Sequence, residues 1–243
     1  MKDYDPVQSF TGEAAAIYDD EPRGDEDEAV AFLAGVAGEG PALELAIGTG
    51  RLALPLAAHG VRVDGIDLSA DLLSLLRAKP GGSGVSLVHG DLCDVDVNGS
   101  YRLVYIAYNS LFNVLEQADQ VRCFRNVAEH LQPDGRFVVE AFDPAFLHRL
   151  RDGQYVDAES VGTAEVWLDV ARHDPVLQRL DETHVRLTTE GVKLYPVVCR
   201  YAWPAELDLM AQLAGLRLVD RFGGWSSQSF TADSRQHVSV YGF

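Results

Sequence analysis

Cysteine is scarce in this chain and unpaired: Cys93, Cys123 and Cys199 are the only three, they stand far apart, and no Cys or His pair has metal-ligand spacing. A disulfide framework and a metal centre are therefore unsupported, and the thiols read as small buried apolar side chains. Cations are also in short supply, with 20 Lys and Arg against 37 Asp and Glu and a formal charge of −17. Such a surface repels a phosphate backbone and weighs against nucleic acid as a partner. Part of the charge lies in one run, "DDEPRGDEDE" at 19–28, which reads as a solvated segment leading into a helix. No apolar stretch reaches the length of a membrane span, and the N-terminus lacks the basic-then-apolar order of a signal peptide, so a cytoplasmic protein with no membrane partner is expected. Repeats and Ser/Gly- or Pro-rich linkers are absent too. With 243 residues and 47% hydrophobic content the chain can bury one sizeable core, so a single domain over 1–243 is expected.

What the chain does have is alternation. "EDEAVAFLAGVA" at 26–37 carries apolar residues at helical spacing behind a first turn of acids, which favour a helix N-terminus. Then "ALELAIG", "VRVDGIDLS", "VSLVHGDL", "YRLVYIAY" and "GRFVVEAF" read as five buried strands, separated by helical patterns such as "SADLLSLLRAK" with Ser69 at its N-cap. Nearly continuous apolar strands alternating with helices indicate an α/β fold, a parallel sheet covered by helices on both faces. Past residue 150 the pattern changes. "AEVWLDVARHD", "PVLQRLDETHVRLTT" and "GVKLYPVVCRYAW" alternate apolar and polar residues and predict a small three-stranded antiparallel insertion within 153–203. A helix opening at Pro204 and two further strands close the chain.

The chemistry points to "ALELAIGTGRLALPLAAHGVRVDGIDLS" at 42–69. A glycine turn entering a helix suits an anion or a carboxylate, because the first N–H groups of a helix lack internal partners. Gly48-Thr49-Gly50-Arg51-Leu52-Ala53 also satisfies the loose dinucleotide pattern, and Asp67 at the end of the second strand suits a ribose in either class. Three features separate the two. Glu44 is an acid inside the first buried strand, a position usually apolar in a dinucleotide site and costly without a polar partner. Asp91 follows the third strand beside the cleft. The closing pair of strands suits seven strands better than the six of a parallel dinucleotide fold.

Together these residues resemble the class I S-adenosylmethionine (SAM)-dependent methyltransferases, over roughly 40–145 and 204–243. The resemblance implies SAM as cofactor and a Rossmann-like, seven-stranded sheet. That family's first motif, an acid followed by alternating glycines, reads here Glu44-Leu45-Ala46-Ile47-Gly48-Thr49-Gly50, with Ala46 in the first glycine's place. It implies that Glu44, Ala46, Gly48, Gly50 and Arg51 shape the methionine and ribose pocket and that Asp67 holds the ribose hydroxyls. Leu68 would pack on the adenine, and Asp91 with Leu92 would read its edge. Tyr108 and Asn109 match the position beside the reactive methyl. Tyr18-Asp19 is similar to the N-terminal Tyr-Asp of small-molecule N-methyltransferases, including those acting on amino sugars, where the tyrosine lies near the transferring methyl.

A small-molecule acceptor is expected, with nitrogen favoured over oxygen or carbon. On "DETHVRLTT", Glu182, His184, Arg186 and Thr188 share one strand face. If the insertion covers the cleft, His184 becomes a candidate base; otherwise that face is simply wet. The insertion is also a candidate homodimer surface. Tyr108, Phe112, Tyr195, Tyr201 and Trp203 are candidate pocket aromatics. Two alternatives stay open at this point: an NAD-linked oxidoreductase on a related doubly wound fold, and a SAM-binding protein without catalysis.

Overall fold

A computed structural model describes residues 1–2, 4–20, 23–94 and 97–243. Two residues of the acidic run at 19–28, Glu21 and Pro22, therefore lie outside the described residues. In chain order the elements are α1 (Gly12–Ala16), α2 (Glu26–Ala37), β1 (Ala42–Leu45), α3 (Ala53–Ala58), β2 (Val63–Asp67), α4 (Ala70–Ala78), β3 (Ser86–His89) and β4 (Tyr101–Ile106). Next come α5 (Gln117–His130), β5 (Leu131–Phe142), β6 (Gln154–Val161), β7 (Glu165–Asp174), β8 (Arg179–Thr188), β9 (Gly191–Arg200), α6 (Pro204–Leu213), β10 (Arg217–Phe222) and β11 (Gln236–Gly242).

Seven strands form one sheet in the order β10-β11-β5-β4-β1-β2-β3, parallel from β5 to β3, with β11 antiparallel to both of its neighbours. The alternation of strand side chains divides the core in two. Leu103, Tyr105 and Val138 pack with α2, α3 and α4, while Val104, Ile106, Phe137 and Val139 pack with α5 and α6 on the other face. This is the predicted Rossmann-like arrangement. Local signals also hold: the Leu72 N–H donates to Ser69 Oγ at 3.2 Å, and Pro204 opens α6. Among the described residues no helix is long and apolar enough to cross a membrane.

The insertion differs from expectation in one strand. It is a four-stranded antiparallel meander, β6-β7-β8-β9, where the sequence predicts three. The extra strand, "QYVDAESV", is an edge strand whose few apolar residues are separated by acids, so neither alternation nor a buried run marks it. The N-terminal segment ties the two sheets together. Gly12 N–H donates to Asp71 at 2.7 Å and Ser69 Oγ to the Phe10 carbonyl at 2.6 Å, while Glu13 pairs with Lys193 and the N-terminal ammonium with Asp181.

Candidate active site

The turn after β1 is built from alternating left-handed residues: Ala46, Gly48 and Gly50 have φ of 60°, 56° and 79°. Glycine adopts this conformation without cost, whereas Ala46 bears roughly 1 kcal/mol of strain. The turn is held by Asp67 at the end of β2. Its carboxylate accepts the Gly48 N–H at 2.7 Å and the Ser69 N–H at 2.8 Å, so one side chain couples the glycine loop to the start of α4. Burial raises the Asp67 pKa above the usual carboxylate range, with the two N–H donors opposing the rise.

Glu44 does its work beneath the loop. It is buried, accepts the Tyr105 hydroxyl at 2.9 Å, and does not line the cavity described next; nor do Gly50 and Arg51. Desolvation pushes its pKa to about 8, against the help of Tyr105, Arg51 and the Ala53 N–H. The folded protein therefore keeps this proton to about pH 8 while the unfolded chain loses it near 4.5. Below the lower value both states are protonated. Between the two, stability falls as pH rises, and above the upper value the cost is complete, on the order of 5 kcal/mol. Glu44→Gln, which mimics the protonated form, is expected to match the wild type at about pH 4 and to exceed its stability by a few kcal/mol at about pH 9. Chemical denaturation across that range checks this, and a constant difference at all pH values would contradict it.

Above the loop lies a cavity of about 720 Å³. Its core side is formed by Ala46, Gly48, Asp67 and Leu68, then by Asp91 and Leu92, and finally by Tyr18, Tyr108 and Asn109. Leu68 is 42% exposed, an apolar surface left open toward this space. Asp91 uses one oxygen to accept the Cys93 N–H at 2.8 Å. Tyr108 and Asn109 are both left-handed, with φ of 53° and 61°. That strain is restrained from β5: the Tyr108 N–H donates to Glu140, and Asn109 Oδ1 accepts the Phe142 N–H at 2.6 Å. Burial pushes the Glu140 pKa to about 7. The Tyr18 ring lies against the glycine loop, its Cε1 3.9 Å from where a Cβ on Gly48 would stand, and burial lifts its hydroxyl to about 12.

The opposite wall is the inner face of the insertion. His184 lines it together with Glu182 and Arg186 from the same strand, Trp167 from β7 and Tyr195 from β9. Trp167 and Tyr195 stack at 5.6 Å and 23°. The face bearing His184 is thus turned to the cavity. Thr188, on the same face in sequence, is beyond it. Of the candidate aromatics, Tyr108 and Tyr195 line the cavity, whereas Phe112 and Tyr201 are fully buried in the core and Trp203 packs on His148 at 5.2 Å. Sequence reasoning missed Arg23, whose guanidinium sits 4.4 Å from the Tyr108 ring centroid and 5.8 Å from that of Tyr18. The only signal was a cation inside an acidic run. It also missed Tyr155 and Glu159, because β6 itself was missed.

The profile of the methyltransferase domain family matches residues 42–135, the stretch that builds most of the core side of the cavity. The solved CcbJ methyltransferase from Streptomyces caelestis is 40% identical, with a TM-score of 0.92 over 98% of this chain and 99% of that one. The chain belongs to the class I SAM-dependent methyltransferases. A cypemycin N-terminal methyltransferase of a Streptomyces species is 27% identical, across 82% of this chain and 81% of its own length. The SAM-bound CalS10, an amino pentose methyltransferase from Micromonospora echinaspora, shares the fold: 21% identity, TM-score 0.70, 96% of this chain and 98% of that one. The NAD-linked and non-catalytic alternatives find no support in these matches. SAM is the cofactor, and the residues present fit it: a turn of left-handed residues without bulky Cβ atoms, a strand-end carboxylate for hydroxyl groups, and an open apolar wall at Leu68.

Proposed function

We propose that this methyltransferase acts on a nitrogen of a small organic amine held between the core and the insertion. The observation that carries the reading is the two-sided cavity, with the SAM-family loop on one side and the aromatic and acidic inner face of β7–β9 on the other. SAM supplies an already activated methyl group, so the residues have to bind, align and exclude water. In this reading Asp67 accepts the ribose hydroxyls, Leu68 packs on the adenine, and Asp91 with Leu92 meets its edge. Ala46, Gly48 and Gly50 let the backbone approach the methionine, Glu44 holds the loop from below, and Arg51 holds Asp25 and Glu26 beside it. Arg23 suits the methionine carboxylate, since it and Arg186 are the arginines lining the cavity among the described residues. Tyr18, Tyr108 and Asn109 align the methyl.

The insertion at 153–203 serves as acceptor lid on a single domain. Trp167 and Tyr195 form an aromatic wall, shared with the Arg186 guanidinium 5.5 Å from the Trp167 centroid, and Glu182 adds negative charge. The relative named for N-terminal methylation of cypemycin supports nitrogen as the target. The acidic chain disfavours nucleic acid, and three buried free thiols fit a reducing cytoplasm. The outer face of the insertion exposes Val156, Val170, Val192 and Leu194, which supports a homodimer through that face and is checked by light scattering.

The test is incubation with SAM and paired amines and alcohols of equal size, reading S-adenosylhomocysteine release and the product mass. Methylated amines with untouched alcohols are expected. Efficient methylation of alcohols or of RNA, with amines inert, would overturn the reading.

A further inference from the structure

His184 sits in a specific setting. The β7–β8 register places Asp169 directly opposite it, and the β8–β9 register places Tyr195 on its other side. Asp169 Oδ1 lies 2.6 Å from His184 Nδ1. A carboxylate can only accept here, so Nδ1 carries the hydrogen, and in the neutral imidazole the lone pair is on Nε2. His184 lines the cavity and Asp169 does not, so Asp169 acts through the imidazole. One polar atom each from Glu159, Asp169 and His184 falls within a 4.8 Å cluster.

The charges around this imidazole are mostly negative. On its own strand Glu182 accepts the Tyr155 hydroxyl, and Arg186 is engaged by Glu165 of β7 at 2.9 Å. Glu159 faces it from β6 and Tyr195 from β9, while Tyr18 and Arg23 line the far side of the cavity. The Asp169 hydrogen bond, foremost, holds the imidazole above the ordinary histidine range. Such a wall attracts a cation, and an alkylamine at neutral pH is a cation, with a pKa near about 10 and no lone pair to offer.

We propose that the acceptor enters as an ammonium ion, that His184 removes its proton, and that Asp169 is the positioning residue that keeps Nε2 ready for it. The proposal rests on the acceptor being an amine. One N–H bond of the ammonium breaks, its electron pair stays on nitrogen, and the proton bonds to Nε2. The neutral amine then has the lone pair that methylation requires. The proton on Nε2 passes to solvent, which reaches the side chain because it is 34% exposed.

Two readouts test this. In the protein without SAM, NMR of the His184 ring gives its titration midpoint, which is expected to move to lower pH in Asp169→Asn. With SAM and the best amine, the acidic limb of the kcat profile is expected to move in the same direction and the plateau to fall. His184→Ala is expected to lose about 100-fold or more in kcat and to regain part of it with imidazole in the buffer. S-adenosylhomocysteine affinity at wild-type level in both variants shows that the core side is intact. An acidic limb and NMR midpoint unmoved by Asp169→Asn, or kcat within twofold of wild type in His184→Ala, overturns the proposal. If the wild type methylates no amine, the acceptor reading fails and takes this one with it; amine methylation with unmoved kinetics sinks this one alone.

Discussion

Asp67→Ala is expected to weaken S-adenosylhomocysteine binding by about 100-fold or more. The carboxylate is buried at the end of β2 and accepts the Gly48 and Ser69 N–H groups, which fixes the loop against α4 before any ligand arrives. In the proposed complex it also receives two ribose hydroxyls. Hydrogen bonds to a charged group contribute roughly 1.5–3 kcal/mol each, so losing two of them costs between about two and four decades of affinity. Asp67→Asn, which keeps one acceptor oxygen and the volume, is expected to fall between wild type and alanine. Titration calorimetry measures both, with circular dichroism showing that the variants fold. Alanine affinity within threefold of wild type would mean that Asp67 serves only the loop.

Gly50→Ala is expected to lower stability by about 2–5 kcal/mol, although Gly50 does not touch the cavity. Two costs add. The left-handed φ of 79° penalises any side chain by roughly 1–2 kcal/mol. A Cβ there would also stand 2.9 Å from Leu76 Cγ and 3.0 Å from Leu54 Cγ, and overpacking of this degree costs roughly 1–3 kcal/mol. Urea denaturation is the check. Gly48→Ala makes the contrast, because at that position the space is open to 3.9 Å and the cost is conformational. Equal losses at the two positions would show that packing around Gly50 relaxes freely.

The sheet was legible because its central strands β1, β2 and β4 are buried almost throughout, and buried runs between helical patterns leave few arrangements open. The glycine loop was legible for a different reason: left-handed backbone selects glycine, so geometry writes itself into the sequence at Gly48 and Gly50, and Ala46 shows how far the rule bends. Glu44 stood out as a buried acid, but sequence could not tell that it faces Tyr105 beneath the loop rather than the cavity. Arg23 was hidden among acids, because a charge run looks alike whether it is wet or folded back over a tyrosine pair. The insertion is the hardest case. Its inner face carries Glu182, His184 and Arg186, and polar residues at period two are what a solvated face shows as well. Only the fold of β6–β9 over the core turns that face to the cavity.

A crystal structure of the complex with S-adenosylhomocysteine tests the two-sided site most directly. The ribose hydroxyls are expected on Asp67, the adenine against Leu68 and Asp91, and the sulfur opening toward Tyr18, Tyr108 and the insertion wall that bears His184. A ligand bound with its sulfur turned away from that wall, or an insertion whose inner face does not close on the cavity, would contradict it.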